Sequence, residues 1–499
     1  MLAKRRKYIM EVLILLTLAT SLLATAPLDP TPQLCLSDAS GGLACRCTDS
    51  RTELDEHLWE VDCSCRNLTA LPSEWQILPD ARRLDLSRNQ LSLLRDEQFS
   101  RWGNLEELSL ARNKFTSLNE AAFSRLANLR MLDLSYNMLQ TLPVKIFEGI
   151  SVLSTLNLEM NRLQELPPYL FSSTSHLNSL ILSYNTALGK YLMKSTEFLT
   201  IVLQRNISSL ALNNMSIERI PNGLFNEASQ LHHLSLADNP LRVIDVLPAS
   251  LESLNLSGID VEVLVSGDFI SYPKLKKLQL DRLIHLRNVQ ENAFEGLASL
   301  EELTMENCIQ LHSFDERAFG GPDSVPIPLK RLSLARSGLH TLSNKTFLLL
   351  QPTLKHVALQ GNSWRCDCNL AWIHQTNFSL ENTAYLRCFS PDEHHNRLIP
   401  SLDLKDFVCT HESAKQNTYS GLIVVMDMFL ILVVVIVACA ILMTLWRRGF
   451  MLCTPRQTVG RYSHVTIDPS RAELEWDDKD LDHIWSTPNA NRQNVPRGP

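Results

Sequence analysis

Twelve cysteines and six Asn-x-Ser/Thr triplets are the residues of this chain whose type and spacing could carry chemistry. Cys366-Asp367-Cys368 precedes Cys388 and Cys409, and Cys35, Cys45, Cys47, Cys63 and Cys65 gather near the other end. C-x-C spacing suits two chemistries, zinc ligation and disulfide bonding. The triplets at Asn67, Asn206, Asn214, Asn255, Asn344 and Asn377 are acceptors for N-linked glycans on an exported chain. Export means an oxidising compartment, which favours disulfides over thiolate ligands. The sequence holds no HExxH, no Gly-x-Ser-x-Gly elbow, no phosphate loop and no dinucleotide fingerprint. His232-His233 and His394-His395 are adjacent pairs without ligand spacing. The chain therefore reads as a non-enzyme without metal or cofactor. A net charge of −7 over 499 residues argues against a nucleic-acid partner.

These residues need elements to place them, and the first such element is a membrane. Lys4, Arg5, Arg6 and Lys7 form a basic start, Val12–Leu23 an apolar run, and Ala24-Thr25-Ala26 a small-residue cleavage site, so residues 1–26 read as a signal peptide. A second apolar run, 421–446, is long enough to span a bilayer. Tyr419 and Trp446 sit near its ends, and Arg447 and Arg448 mark the cytoplasmic side. The expected topology is single-pass type I at the plasma membrane. No glycan acceptor lies in the tail, and ten of the twelve cysteines precede the span. Asp427 lies in the outer third of the span. It either pairs with a basic residue on a partner's span or sits near the headgroups, with the hydrophobic stretch starting at Met428. Cys453 is a palmitoyl acceptor or a plain thiol.

The second element is a repeat. Leu84, Leu108, Leu132, Leu156 and Leu180 recur every 24 residues and open the phrases LDLSRN, LSLARN, LDLSYN, LNLEMN and LILSYN. Asn89, Asn113, Asn137, Asn161 and Asn185 close them, and Phe99, Phe123, Phe147 and Phe171 follow. Looser copies at 210, 234, 254, 278, 303, 332 and 357 bring the count to twelve. One such unit cannot bury its own apolar face, so the units must stack on a shared core. The phrase resembles the leucine-rich repeat, LxxLxLxxNxL, of single-pass receptors and adhesion proteins with Toll-like ectodomains. The 53-residue tail is too short for a Toll-type signalling domain. The resemblance implies an α/β repeat fold: a horseshoe solenoid with disulfide caps, followed by one transmembrane helix and a disordered tail. The implied order is signal peptide 1–26, N-terminal cap 27–73, repeats 74–362, C-terminal cap 363–410, stalk 411–420, span 421–446 and cytoplasmic tail 447–499.

Each phrase should form a short strand of the concave face, its leucines inward and their neighbours outward. The phenylalanines should stack inside the convex side. The Asn amides should satisfy backbone groups left unpaired where each strand ends. From Met215 onward the ladder is broken: Ile259, Leu283, Cys308 and Ser337 take the Asn place, with Asn239 and Asn362 as exceptions, and Cys308 reads as a buried free thiol. Two units run long. The segment 187–204 should bulge or form a short helix, and Gly320-Gly321-Pro322-Asp323 with Pro326 and Pro328 should form a protruding loop.

The caps resemble those that flank leucine-rich repeats. At the C-terminal end the resemblance implies Cys366–Cys388 and Cys368–Cys409. At the N-terminal end Cys35, Cys45, Cys47 and Cys63 match the cap, but Cys65 is extra and the connectivity stays open.

The outward column Arg88, Arg112, Tyr136, Met160 and Tyr184, with Ile181 beside Tyr184, groups residue types that carry interface energy. It is the expected site for an extracellular protein ligand or co-receptor. Lys276-Lys277, Glu301-Glu302 and Lys330-Arg331 should instead pair across successive strands. Asn255 points outward, so a glycan there would push a large ligand towards the N-terminal half. In the tail, Tyr462 to Val465 fits a Tyr-x-x-apolar sorting pattern. Leu474-Glu475-Trp476-Asp477-Asp478 resembles the tryptophan-acidic motif by which calsyntenins bind kinesin light chains. Two functions follow: a surface receptor, co-receptor or adhesion protein binding through its concave face, or a trafficking adaptor whose tail binds a sorting adaptor or kinesin light chain.

Overall fold

The computed structural model describes residues 45–51, 57–71, 81–96, 98–244, 246–409 and 436. The signal segment, Cys35, the span apart from Ile436, Asp427, Cys453 and the tail residues Tyr462, Val465, Leu474, Trp476 and Asp477 lie outside the described residues. Among the described residues no helix is long and apolar enough to cross a membrane.

Successive repeats lay down one strand each. The described residues contain a fifteen-stranded sheet that opens with an antiparallel pair, Arg46–Arg51 and His57–Asp62, and continues in parallel from Ala81–Asp85 to Ser379–Glu381. The register never slips: Leu84 faces Leu108, Leu108 faces Leu132, and the match runs on through Leu156, Leu180, Leu210, Leu234, Leu254, Leu278, Leu303, Leu332, Val357 and Leu380. The cause is the two-residue period of a strand. A one-residue slip would turn this row, fully buried from Leu84 to Val357, out to water and its polar neighbours inward. The phenylalanines stack behind the sheet, as in Phe99–Phe123 at 6.5 Å and Phe147–Phe171 at 5.6 Å between ring centroids. The row lapses in the short Leu234–Leu254 unit, which has no phenylalanine, and resumes with Phe269–Phe294 at 5.9 Å.

The expected α/β character is corrected to a β-solenoid. The return segments are turns and short 3-10 stretches, and among the described repeats α-helix occurs only in the long unit, as α1 (Thr186–Lys194) and α2 (Glu197–Leu203). The reason is reach. A helix advances about 1.5 Å per residue and an extended chain about 3.3 Å, so a 24-residue turn of the spiral has little chain to spare for helix. The unit from Leu180 to Leu210 has six residues more, and they are spent on α1 and α2. Gly189 of α1 lies against the next unit so closely that a Cβ would come within 2.0 Å of the Met215 carbonyl oxygen. The 320–328 loop leaves the return segment between Phe319 and Leu329, away from the strand row, with Val325 exposed and Ile327 buried.

The Asn side chains do what their place demands. Asn113 Nδ2 donates to the carbonyls of Leu86 and Leu110 at 3.0 Å, and its Oδ1 accepts from Leu91 N at 3.0 Å. Asn137, Asn161 and Asn185 repeat the pattern. In the later units Cys308 Sγ lies 3.3 Å from the Leu280 carbonyl and Ser337 Oγ donates to Met305 O at 2.8 Å. There a second, three-stranded parallel sheet appears on the return side: Val263–Leu264, Asn288–Val289 and Ser313–Phe314.

Both ends are stapled. Cys45 bonds Cys63, and Cys47 is also disulfide-bonded. Cys366 bonds Cys388 and Cys368 bonds Cys409. Trp364 is fully buried under the last repeat, its Nε1 donating to Leu359 O at 2.8 Å, and Trp372 packs on Phe347 at 4.9 Å. Cys65 is exposed and unbonded. Cys308 is buried and unbonded, and burial pushes its thiol up to about 12.

Candidate functional site

The sheet face is built of rows, one per repeat, and its side chains fall into columns by their distance from the central leucine. The residues just before and just after that leucine stand on the strand face. The sequence column Arg88, Arg112, Tyr136, Met160 and Tyr184 stands elsewhere. Every member has a left-handed backbone, with φ from 54° to 63°, in the turn that follows the strand. That turn forms where the chain leaves the sheet to enter the Asn ladder. These residues therefore form a rim, and their expected position on the strand face is corrected. The ladder of backbone bonds still joins them: Arg112 N donates to Ser135 O and Tyr136 N to Glu159 O. Ile181 is on the strand face, between Asn157 and Ala211, in a different column from Tyr184. A left-handed residue costs about 1 kcal/mol when it is not glycine, so propensity gave no hint of this turn. Only its fixed offset from Leu84 and its counterparts could have marked it.

In the N-terminal rows the outer edge is ion-paired and the middle is open. Arg83 pairs with Glu107 at 2.6 Å, and Arg82 with Glu106. Arg112 lies over the Tyr136 ring, its guanidinium carbon 3.8 Å from the centroid, a cation–π contact. Met131 and Met160 are exposed, at 42 % and 39 %. Asp85, Asp133 and Asn157 each turn a side-chain oxygen back to the backbone N–H two residues on. Glu159 is half-buried on this face. Burial pushes its carboxyl above the usual range and the Asp133 charge adds to that, while Arg112 opposes it.

In the C-terminal rows the same columns close on one another. Lys276 pairs with Glu252 at 2.8 Å, Lys277 with Glu302 at 3.2 Å, Lys330 with Glu301 at 2.7 Å and Arg331 with Glu381 at 2.6 Å. Arg282 reaches across a whole repeat to both oxygens of Asp238, at 2.9 and 3.0 Å. Gly258 lies between them, and a Cβ there would stand 2.2 Å from Asp238 Oδ1. Glu306 accepts from Ser333 Oγ at 2.8 Å and from Arg336 at 3.0 Å. A polar spine missed by the sequence reading runs beneath. Ser183 Oγ, Asn213 Oδ1, Ser257 Oγ and Asp281 Oδ1 each accept an N–H from the same column one repeat later. Asn255 faces out from its strand with its Oδ1 turned to Ser257 N. Asn214 is likewise half-buried, while Asn67, Asn206, Asn344 and Asn377 are exposed.

Two family models match the chain, a leucine rich repeat over residues 79–139 and a BspA type leucine rich repeat region over 248–362. Over those two stretches the repeats are leucine-rich repeats. Human vasorin is 24 % identical over 208 residues, a match covering 41 % of this chain and 23 % of vasorin. Trophoblast glycoprotein of Macaca fascicularis is 25 % identical over 227 residues, covering 41 % of this chain and 54 % of that protein. Among solved structures, Drosophila Toll in its complex with Spätzle aligns with a TM-score of 0.40 at 19 % identity, over 69 % of this chain and 57 % of Toll. The chain thus spans between about a quarter and a half of the curated relatives it matches.

Proposed function

We propose that this chain is a plasma-membrane recognition protein, a receptor, co-receptor or adhesion molecule, that holds an extracellular protein ligand on the N-terminal rows of its leucine-rich-repeat sheet. One observation carries the reading. The C-terminal rows neutralise their charges among themselves, whereas the rows from Leu132 to Leu180 leave Tyr136, Tyr184, Met160, Ile181 and two carboxylates open to a partner. Tyrosine is among the residues that carry most interface energy, and methionine is enriched at interfaces. In this reading residues 1–26 deliver the chain to the export route, the exposed Asn acceptors carry glycans, and 421–446 anchors it as a type I protein. The tail residues Tyr462 and Val465, and Leu474, Trp476 and Asp477, then link it to a sorting adaptor or kinesin light chain.

Proximity labelling on living cells supplies the partner. Replacing Tyr136→Ala together with Tyr184→Ala is expected to weaken its binding by tenfold or more, on the order of 2 kcal/mol, without lowering surface delivery. Unchanged binding removes the patch.

A further inference from the structure

The repeats supply their own control experiment. The third residue after the central leucine is Glu306 in one row, Asp281 in another and Glu159 in a third. At Glu306 the following row offers Ser333 and Arg336, and both donate to the carboxylate. At Asp281 the following row offers Thr304, whose hydroxyl donates at 3.0 Å. At Glu159 the residues in those same two places are Ile181 and Tyr184. Among the described residues no side chain donates to the Glu159 carboxylate. The nearest rim cation on its N-terminal side, Arg112, is held over Tyr136 two rows away, a spacing of about 10 Å at the usual inter-strand distance. Glu159 is therefore a half-buried carboxylate in a register position that its counterparts complete from within, and here the completing groups are apolar and aromatic.

We propose that Glu159 is the docking point for one arginine side chain of the protein partner, which takes beside Glu159 the place that Arg336 takes beside Glu306. The proposal rests on the strand face being the partner surface. The chemistry is matched on both sides. A guanidinium forms charge-assisted bonds to a carboxylate, and its planar faces lie against an aromatic ring and an aliphatic chain, here Tyr184 and Ile181. Asp133, one row back, adds a second negative charge and takes part in no ion pair among the described residues.

The test selects random short displayed peptides on the immobilised full-length chain and compares variants. Glu159→Gln removes the charge and keeps the shape. Tyr184→Arg grafts the arrangement found at Glu306, so that the carboxylate is neutralised from within. Ser209→Trp blocks the neighbouring strand face without adding charge. Arginine enrichment is expected among binders that Ser209→Trp excludes, and both Glu159→Gln and Tyr184→Arg should lose it, with at least about tenfold weaker binding. Binders sensitive to Ser209→Trp but bound equally by Glu159→Gln overturn the arginine proposal and leave the strand-face reading standing. Binders indifferent to Ser209→Trp, or no enrichment at all, overturn both. Melting of the three variants no lower than that of the parent shows that each outcome reports binding rather than folding.

Discussion

The two halves of the solenoid solve one problem in two ways. Where each strand ends, buried backbone groups need partners. In the N-terminal half a column of Asn amides supplies them: Asn161 donates to Leu134 O and Leu158 O and accepts from Leu139 N. In the C-terminal half Ile259, Leu283 and Cys308 stand in that column, and the chain just beyond pairs with itself as a second parallel sheet. A related contrast recurs on the sheet face: the N-terminal ion pairs stop at its first rows, as in Arg83–Glu107, and leave the rows from Leu132 to Leu180 open, whereas the later rows are ion-paired throughout. A repeat with side-chain closure keeps its return segment irregular and its face free to vary. A repeat with backbone closure binds its neighbours at two sheets, and its face is knitted by Asp238–Arg282 and Glu306–Arg336. On the proposed reading the first half is the recognition surface and the second the scaffold.

The sharpest way to break this comparison is at the ladder. Asn161→Leu strands two carbonyls and one N–H in the core. At about 1–3 kcal/mol per orphaned group, it should cost on the order of 3–9 kcal/mol in denaturant unfolding. Amide exchange should rise first in the units flanking Asn161. The mirror change, Leu283→Asn, restores the ladder residue where the second sheet already closes the turn. It gains little and is expected to destabilise, because it buries an amide with fewer partners. If the two substitutions cost the same, the halves are not closed by different devices.

Much of this was legible in the residues. The 24-residue period fixed the stack, the inward leucines and the Asn ladder, because each follows from strand alternation and from backbone groups that must be satisfied. The charge alternation predicted the pairs Lys277–Glu302 and Lys330–Glu301, while Lys276 and Arg331 turn instead to Glu252 and Glu381. Three things were not legible. The left-handed rim depends on backbone angles that Arg88, Tyr136 and Met160 adopt against their propensity. The second sheet is only two residues wide per strand, too short for any period to show. The polar spine uses Ser183, Asn213, Ser257 and Asp281, whose types vary while their geometry repeats.

A smaller effect tests the knitting of the C-terminal face. Gly258→Ala places a methyl group 2.2 Å from Asp238 Oδ1, so Asp238 must turn away and Arg282 loses both bonds. With the left-handed backbone at Gly258, φ 69°, the expected cost is about 1–3 kcal/mol. Arg282→Ala should cost less, since the pair is half-exposed and surface pairs are worth about 0–1 kcal/mol. A Gly258→Ala variant as stable as the parent would show that the Asp238–Arg282 bridge contributes nothing to that face.

The smallest effect is one of sign, and it compares one acid from each half. Glu159 titrates above the ordinary carboxyl range in the folded chain, first because of its burial. The folded state therefore holds its proton to higher pH than the unfolded state, and stability falls as pH rises through that interval. Glu252 is the opposite case, held below the ordinary range by Lys276. Its contribution is present above the unfolded value and is lost as pH falls through the folded one. Subtracting Glu159→Gln from the parent should leave a stability difference that turns against the parent from about the ordinary glutamate value of 4.3 upward. Subtracting Glu252→Gln should leave one that favours the parent over the same rise. Measured as melting temperature against pH at low salt, the two difference curves must slope in opposite directions. Parallel curves would mean that Glu159 already has an internal partner, and the N-terminal face would then be as closed as the C-terminal one.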